Sequence, residues 1–138
     1  MSAAGLTKES LRLAEVLVWA SSQPPVFASE WQMVMPSLAN RMVKRRIKIK
    51  RAQDHRMVGN LIMRKCRKFT NERLLVAITR HSPRALDSDN LVSAGKNLRD
   101  GIADALRVDD KDSRVVWHVQ QVIESKTNKA SVQVWVLP

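Results

Sequence analysis

Apolar residues recur with two different periods along this chain, and each change of period marks an element. From about Thr7 to Ala20, Leu11, Ala14, Leu17 and Val18 return at helical spacing, with Thr7 as cap and Glu9 and Ser10 in the first turn. This predicts a helix that docks by packing and carries no chemistry. Ser21-Ser22-Gln23-Pro24-Pro25 stops the pattern and is the best candidate linker, because proline lacks a donor and holds the preceding residue extended. Glu30 to Met35 then alternates, with Trp31, Met33 and Met35 on one side, which predicts a short strand ended by Pro36-Ser37-Leu38-Ala39-Asn40.

The middle of the chain mixes cationic and apolar residues. Arg45-Arg46-Ile47-Lys48-Ile49-Lys50 alternates; helical spacing then takes over, with Met57, Val58, Leu61, Ile62 and Cys66 on one face of a helix from roughly Ala52 to Lys68. Arg56, Arg64, Lys65, Arg67 and Lys68 cover much of the rest, so this helix packs with one side and offers phosphate contacts with the other. Leu74 to Thr79 is almost continuously apolar, as in a strand covered on both faces. A loop, Arg80-His81-Ser82-Pro83-Arg84, leads to a helix that runs to Leu106 with Leu91, Ala94, Leu98, Ile102 and Ala105 inward. Gly95 and Gly101 each cost this helix about 1 kcal/mol relative to Ala, which implies close packing or a weakened helix. Two alternating strands finish the chain, around Val115 to Ile123 and Val132 to Leu137, and the polar stretch Ser125 to Lys129 reads as a hairpin turn. The expected fold is α+β: a small mixed sheet of about four strands, helices packed on it, a C-terminal β-hairpin and an extra N-terminal helix.

Composition narrows the function. One cysteine, Cys66, excludes an intrachain disulfide and suits a reducing cytosol; near the apolar stripe it reads as a small core residue. No apolar run approaches the roughly 20 residues of a bilayer span, and the start lacks the order of a signal peptide, so a soluble intracellular protein is expected. Net charge is +11, and Arg41 to Arg73 holds thirteen Lys or Arg against two acids, so all the excess lies in that segment. A basic block in an otherwise balanced domain marks a polyanion binder, most often of nucleic acid, unless it is only a solvated face. Arg41, Lys44, Arg45, Arg46, Lys48, Lys50 and Arg51 are its candidate DNA contacts, joined by Arg80 and Arg84 from the loop. His55 reads as a surface residue, His118 as half-buried on a strand face, and the four tryptophans as core.

Against that charge stand the acids. Leu86-Asp87-Ser88-Asp89-Asn90-Leu91 precedes the long helix and Val108-Asp109-Asp110 follows it, so four carboxylates bracket one element. In an extended lead-in, Asp87 and Asp89 point the same way, and Asp89 is well placed to cap the helix. Paired carboxylates repel unless a cation lies between them, and Mg²⁺ is held by one or two carboxylates plus water and phosphate. The competing reading is plain capping, which draws the same residue types to helix starts. Lys96, seven residues after Asp89, projects on the same side of the helix, away from the apolar stripe.

The ordered set Asp87-x-Asp89-Asn90-Leu91, Lys96-x-x-x-Asp100-Gly101-Ile102, Asp104-Ala105-Leu106, Asp109-Asp110 and a valine-rich strand resembles the RusA family of phage-type Holliday junction resolvases. The resemblance covers about Leu74 to Val136 and, more loosely, the Pro36-Ser37 to Asn40 turn. It implies a helical extension and linker over residues 1–28 and an endonuclease-like domain over residues 29–138. It also implies a cytoplasmic, bacterial or phage-encoded homodimer that cuts branched DNA with Mg²⁺, or Mn²⁺ in its place, and uses no organic cofactor and no membrane. By position, Asp87, Asp89 and Asp110 would be catalytic metal ligands, with Asp109 as a neighbouring candidate, and Lys96 would be the essential lysine. Lys96 stands about one helical turn further from Asp89 than in the best-known member.

Overall fold

The computed structural model describes residues 8–36, 45–109 and 111–138. Three helices and four strands follow in the order α1 (Lys8–Ser21), β1 (Phe27–Gln32), α2 (Arg45–Ile62), β2 (Leu74–Ser82), α3 (Ser88–Leu106), β3 (Val115–Ile123) and β4 (Lys129–Val136). The strands form one mixed sheet in the order β1-β4-β2-β3, an α+β arrangement. β2 runs parallel to β3 and antiparallel to β4, and β4 is antiparallel to β1. Parallel neighbours need a crossover, and α3 supplies it in a β2-α3-β3 unit.

β3 and β4 are consecutive and joined by a short polar turn at Lys126, which adopts positive φ. They do not pair with each other, since β2 lies between them. A short linker says that two strands run back past one another; it does not say what is inserted between them. β2, whose sequence is apolar enough to be covered on both faces, takes that place.

Alternation along the strands builds two cores. Leu74, Val76 and Ile78 of β2, with Val115 of β3 and Ala130, Val132 and Val134 of β4, face α2 and α3 together with Ala94, Leu98 and Ile102. Leu75 and Ala77, with Trp135 and Leu137, face the other way and are covered by Ala20, with Val16, Leu17 and Trp19 packed against them. Each of these large side chains contributes on the order of 1.5–3 kcal/mol by leaving water. α1 is therefore the lid of the second face, and the Nε1–H of Trp135 donates to the Gln23 carbonyl at 3.0 Å, tying the Ser21–Pro25 stretch down.

Several expectations shift. β1 lies three residues earlier than Glu30 to Met35 and is an edge strand, so Trp31 is exposed rather than core. Met35 nevertheless enters the main core from the loop beyond β1. α2 begins at Arg45 and ends at Ile62, so the alternating cationic segment is helical. Lys and Arg are good helix formers, and no proline or glycine interrupts the run. His55 is buried, not on the surface.

α2 and α3 touch backbone to backbone. A Cβ on Gly101 would collide with the Arg56 carbonyl oxygen, and one on Gly59 with that of Leu98. Gly95 is different: its nearest neighbours would be the Val119 side chain at 3.3 Å and the end of Met35 at 3.8 Å. Close packing, not weakness, is why α3 carries Gly101.

Candidate functional site

The acidic motif occupies the start of α3, but Asp87 rather than Asp89 is the cap. Asp87 is extended (φ −66, ψ 167), and one carboxylate oxygen accepts the Asn90 backbone N–H at 2.9 Å. Its other oxygen accepts the Asn90 side-chain amide at 3.2 Å. Asp89 lies in the first helical turn, where a negative charge meets the positive end of the helix. The two carboxylates do not follow strand alternation, because the helix has already begun between them at Ser88. Asp89 is exposed and makes no hydrogen bond or ion pair among the described residues; the same holds for Lys96, about 10 Å along the axis.

The other end of α3 turns on Arg107, which adopts the left-handed conformation (φ 56). Asp109 follows, exposed, with a carboxylate oxygen accepting the Lys111 N–H at 2.9 Å. Asp112 is gripped by Arg114, whose Nη2 lies 2.9 Å away, and its carboxyl is held below the usual range by those hydrogen bonds. Nineteen residues of helix span about 28 Å, so Asp87 and Asp89 stand that far from Asp109 within one chain. Asp110 lies outside the described residues. Among the described residues no group of three or more His, Cys, Asp or Glu is placed to hold a metal ion. A single chain thus offers two separated half-sites.

Asp100, Asp104 and Asp109 do share one open pocket of 320 Å³ with Arg56. Arg56 forks Asp104, Nε to Oδ2 at 2.7 Å and Nη2 to Oδ1 at 2.9 Å. The hydrogen bonds from Arg56 hold the Asp104 carboxyl below its ordinary range. This pair clamps α2 to α3 beside Gly101.

The cations divide into three sets. Arg45, Arg46, Lys48, Lys50 and Arg51 line the first turns of α2, where Arg45, Arg46 and Lys50 are exposed and Lys48 and Arg51 partly so. The first turn of α2 contains no acid, the reverse of what the helix dipole favours. Among the described residues none of Arg45, Arg46, Lys48 or Lys50 has an ion-pair partner. Arg41 and Lys44 lie outside the described residues, and Arg84 is exposed on the loop before α3. Arg80 departs from expectation: it is buried, its Nε–H donating to the Met35 carbonyl at 2.8 Å and Nη1–H to the Arg84 carbonyl at 2.7 Å. Burial pushes its pKa down. Arg80 braces the loop that carries Arg84 and does not present itself to a ligand; an arginine closing an otherwise apolar strand is the signal that sequence reading passed over.

A second polar constellation had no sequence signature. His81 of β2 lies 2.9 Å from Glu124 through Nδ1 and 2.8 Å from the Ser131 hydroxyl through Nε2. A carboxylate only accepts, so Nδ1 carries the proton that Glu124 receives. The hydrogen bond from His81 holds the Glu124 carboxyl below its usual range. The order Ser-His-Glu has the spacing of a nucleophilic relay. Ser131 sits in β4, flanked by β1 and β2, opposite Glu30 on one side and Thr79 on the other. The constellation ties β2 to β4 and to the residue that follows β3.

Among the described residues no helix is long and apolar enough to cross a membrane. Compared with protein-family models and with curated proteins, the chain finds no match.

Proposed function

We propose that this protein is a Mg²⁺-dependent, structure-selective endodeoxyribonuclease that resolves Holliday junctions by paired symmetric nicks, in DNA recombination and repair inside the cell. The observation that carries the reading is the state of Asp89: an exposed carboxylate left unpaired on α3 in a chain of net charge +11. Where cations are abundant, an acid kept free of them is available to a metal. Support also comes from the cationic start of α2, which works against helix stability and therefore calls for another role; phosphate binding supplies one.

Phosphodiester hydrolysis needs an activated water and positive charge at the phosphate, both of which Mg²⁺ supplies when bound. Asp87, Asp89 and Asp110, with Asp109 beside it, are the residues that would hold it. Asp87 can cap and coordinate together, because each carboxylate oxygen has a second lone pair. The length of α3, about 28 Å, fixes one further condition: the acids of its two ends meet only if a second copy lies antiparallel across a two-fold axis. Each composite site would then take its start-of-helix acids from one subunit and its end-of-helix acids from the other. Lys96 would contact the scissile phosphate or the departing group, and the α2 cations with Arg84 would hold the DNA arms. Two such sites related by a two-fold give paired nicks on the two-fold-related strands of a four-way junction.

The test is cleavage of an end-labelled four-way junction with and without Mg²⁺. The native protein yields symmetric nicks only with metal, and Asp89→Asn yields none while still binding the junction. Normal nicking by that variant would remove the metal assignment. A second reading, a non-catalytic binder of branched DNA or RNA, draws on the capping role of Asp87 and the separation of the acids within one chain. It predicts no Mg²⁺-dependent product, and tighter binding when the acids are neutralised.

A further inference from the structure

The segment that follows α2 and the end of α3 together line a cavity of 490 Å³, within the range of about 300–1,000 Å³ that small-ligand sites occupy. Arg64, Arg67, Lys68, Arg107 and Arg114 line it, and among the described residues no Asp or Glu does. Two of the five are engaged: Arg114 with Asp112 at 2.9 Å and with the Thr70 carbonyl, and Arg67 with Glu72 at 3.4 Å. Arg64, Lys68 and Arg107 are exposed, and their side chains have no partner among the described residues. Helix ends attract cations, which accounts for some of this charge. It does not account for a concave cavity with an aromatic ring in its wall. The Arg67 guanidinium lies over the Phe69 ring, 4.2 Å from its centre, so a cation and an aromatic plane are already stacked there. Met63, Leu106 and Val108 add apolar lining.

Phosphate-binding cations, an apolar wall and a guanidinium over an aromatic ring are what unpaired nucleotides bind, since a free base stacks on such groups while its phosphate meets the charges. A base inside a duplex cannot enter, being already paired and stacked. We propose that this cavity takes one unpaired nucleotide of a DNA strand, its base on the Arg67–Phe69 stack and its phosphates on Arg64, Lys68 and Arg107. The assignment rests on the nucleic-acid reading above and deepens it: a base pair at an open branch point lacks a stacking neighbour on one side and costs less to open than one inside a duplex, so capture of its base would favour branched over linear DNA. Val108 also lines the pocket that holds Asp109, which sets the captured nucleotide beside one end of the acidic site.

The experiment is fluorescence anisotropy on the full chain with a labelled twelve-residue oligothymidine and a duplex of equal length, across a salt series. One variant combines Arg64→Ser, Lys68→Ser and Arg107→Gly, glycine being suited to the left-handed backbone at that position. It is expected to lose oligothymidine affinity at least ten-fold and to flatten the log–log salt slope by about 2, at roughly 0.7 for each phosphate neutralised, with duplex binding unchanged. Arg67→Lys keeps the charge and removes the plane, so the slope stays while oligothymidine affinity falls roughly ten-fold. Wild-type oligothymidine binding by the triple variant, an Arg67→Lys protein that binds like the native one, or equal losses for oligothymidine and duplex would each overturn the assignment. If the native protein binds neither probe, the nucleic-acid reading itself falls.

Discussion

Asp87 is asked to do two things, to start α3 and to hold metal, and substitutions there separate them. Its carboxylate accepts two hydrogen bonds from Asn90, at 2.9 and 3.2 Å. Asparagine keeps an oxygen in the capping position and removes the charge, whereas alanine removes both. The capping hydrogen bond contributes about 1 kcal/mol, and the charge at the helix start about 0.5 kcal/mol. At about 2.1 cal/mol/K per residue, unfolding this 138-residue chain gains about 290 cal/mol/K. Asp87→Asn should therefore lower Tm by about 2 °C and Asp87→Ala by about 5 °C, read by far-UV circular dichroism. Both should abolish Mg²⁺-dependent nicking of a labelled four-way junction, since neither retains a negative ligand. Equal melting temperatures for the two variants would refute the capping geometry. An Asp87→Asn protein that nicks normally would refute the metal role while leaving the cap intact.

Other consequences are as direct. Gly101→Ala places a methyl against the Arg56 backbone, which cannot rotate away, so overpacking of roughly 3 kcal/mol outweighs about 1 kcal/mol of helix propensity and Tm drops about 7 °C. Gly95→Ala meets only the Val119 and Met35 side chains and leaves Tm unchanged or slightly higher; equal losses at both glycines would contradict the close approach of the two backbones. His55 is buried and its pKa is lowered from 6.5, chiefly by desolvation, so the unfolded chain binds the proton more readily. Stability from this site is therefore complete above about pH 6.5 and is lost as pH falls below it, and a Tm series from pH 7.5 to 5.5 should slope less for His55→Gln than for the native protein. Neutralising Arg45, Arg46, Lys48 and Lys50 should flatten the salt dependence of duplex binding by about 0.9 for each phosphate no longer neutralised, and should leave Tm equal or higher, because cations at a helix start oppose its dipole. An unchanged slope would remove that end of α2 from the DNA face.

Periodic apolar residues made most of the fold legible. β2 starts where the continuous apolar run puts it, though it extends through Arg80, His81 and Ser82, which read as loop, and the inward face of α3 lies where the 3.6-residue repeat puts it, since both patterns report burial directly. Pairing was another matter. A short polar linker between β3 and β4 reads as a hairpin in sequence, and only the competition for the central place in the sheet, which β2 wins, decides otherwise. The start of α2 misled because cations and isoleucines alternate there by chance of composition, while the residues themselves favour helix. The acids were visible as a motif, but their separation follows from the unbroken length of α3, which periodicity predicts and which sets their distance in one chain. Arg80 and Phe69 were hidden for a common reason. What each does depends on partners far away in sequence, the Met35 carbonyl for the first and the wall formed with Arg107 and Arg114 for the second.

Mixing two inactive proteins tests the composite site most directly. Asp89→Asn and Asp110→Asn chains, co-expressed with different tags and purified through both, would on the proposed two-fold arrangement give dimers in which one composite site has every acid and the other lacks both. Such dimers should nick one strand of a four-way junction in Mg²⁺, although neither parent nicks any. Mixed dimers as inert as their parents would contradict the claim that the acids at the two ends of α3 meet across a subunit boundary.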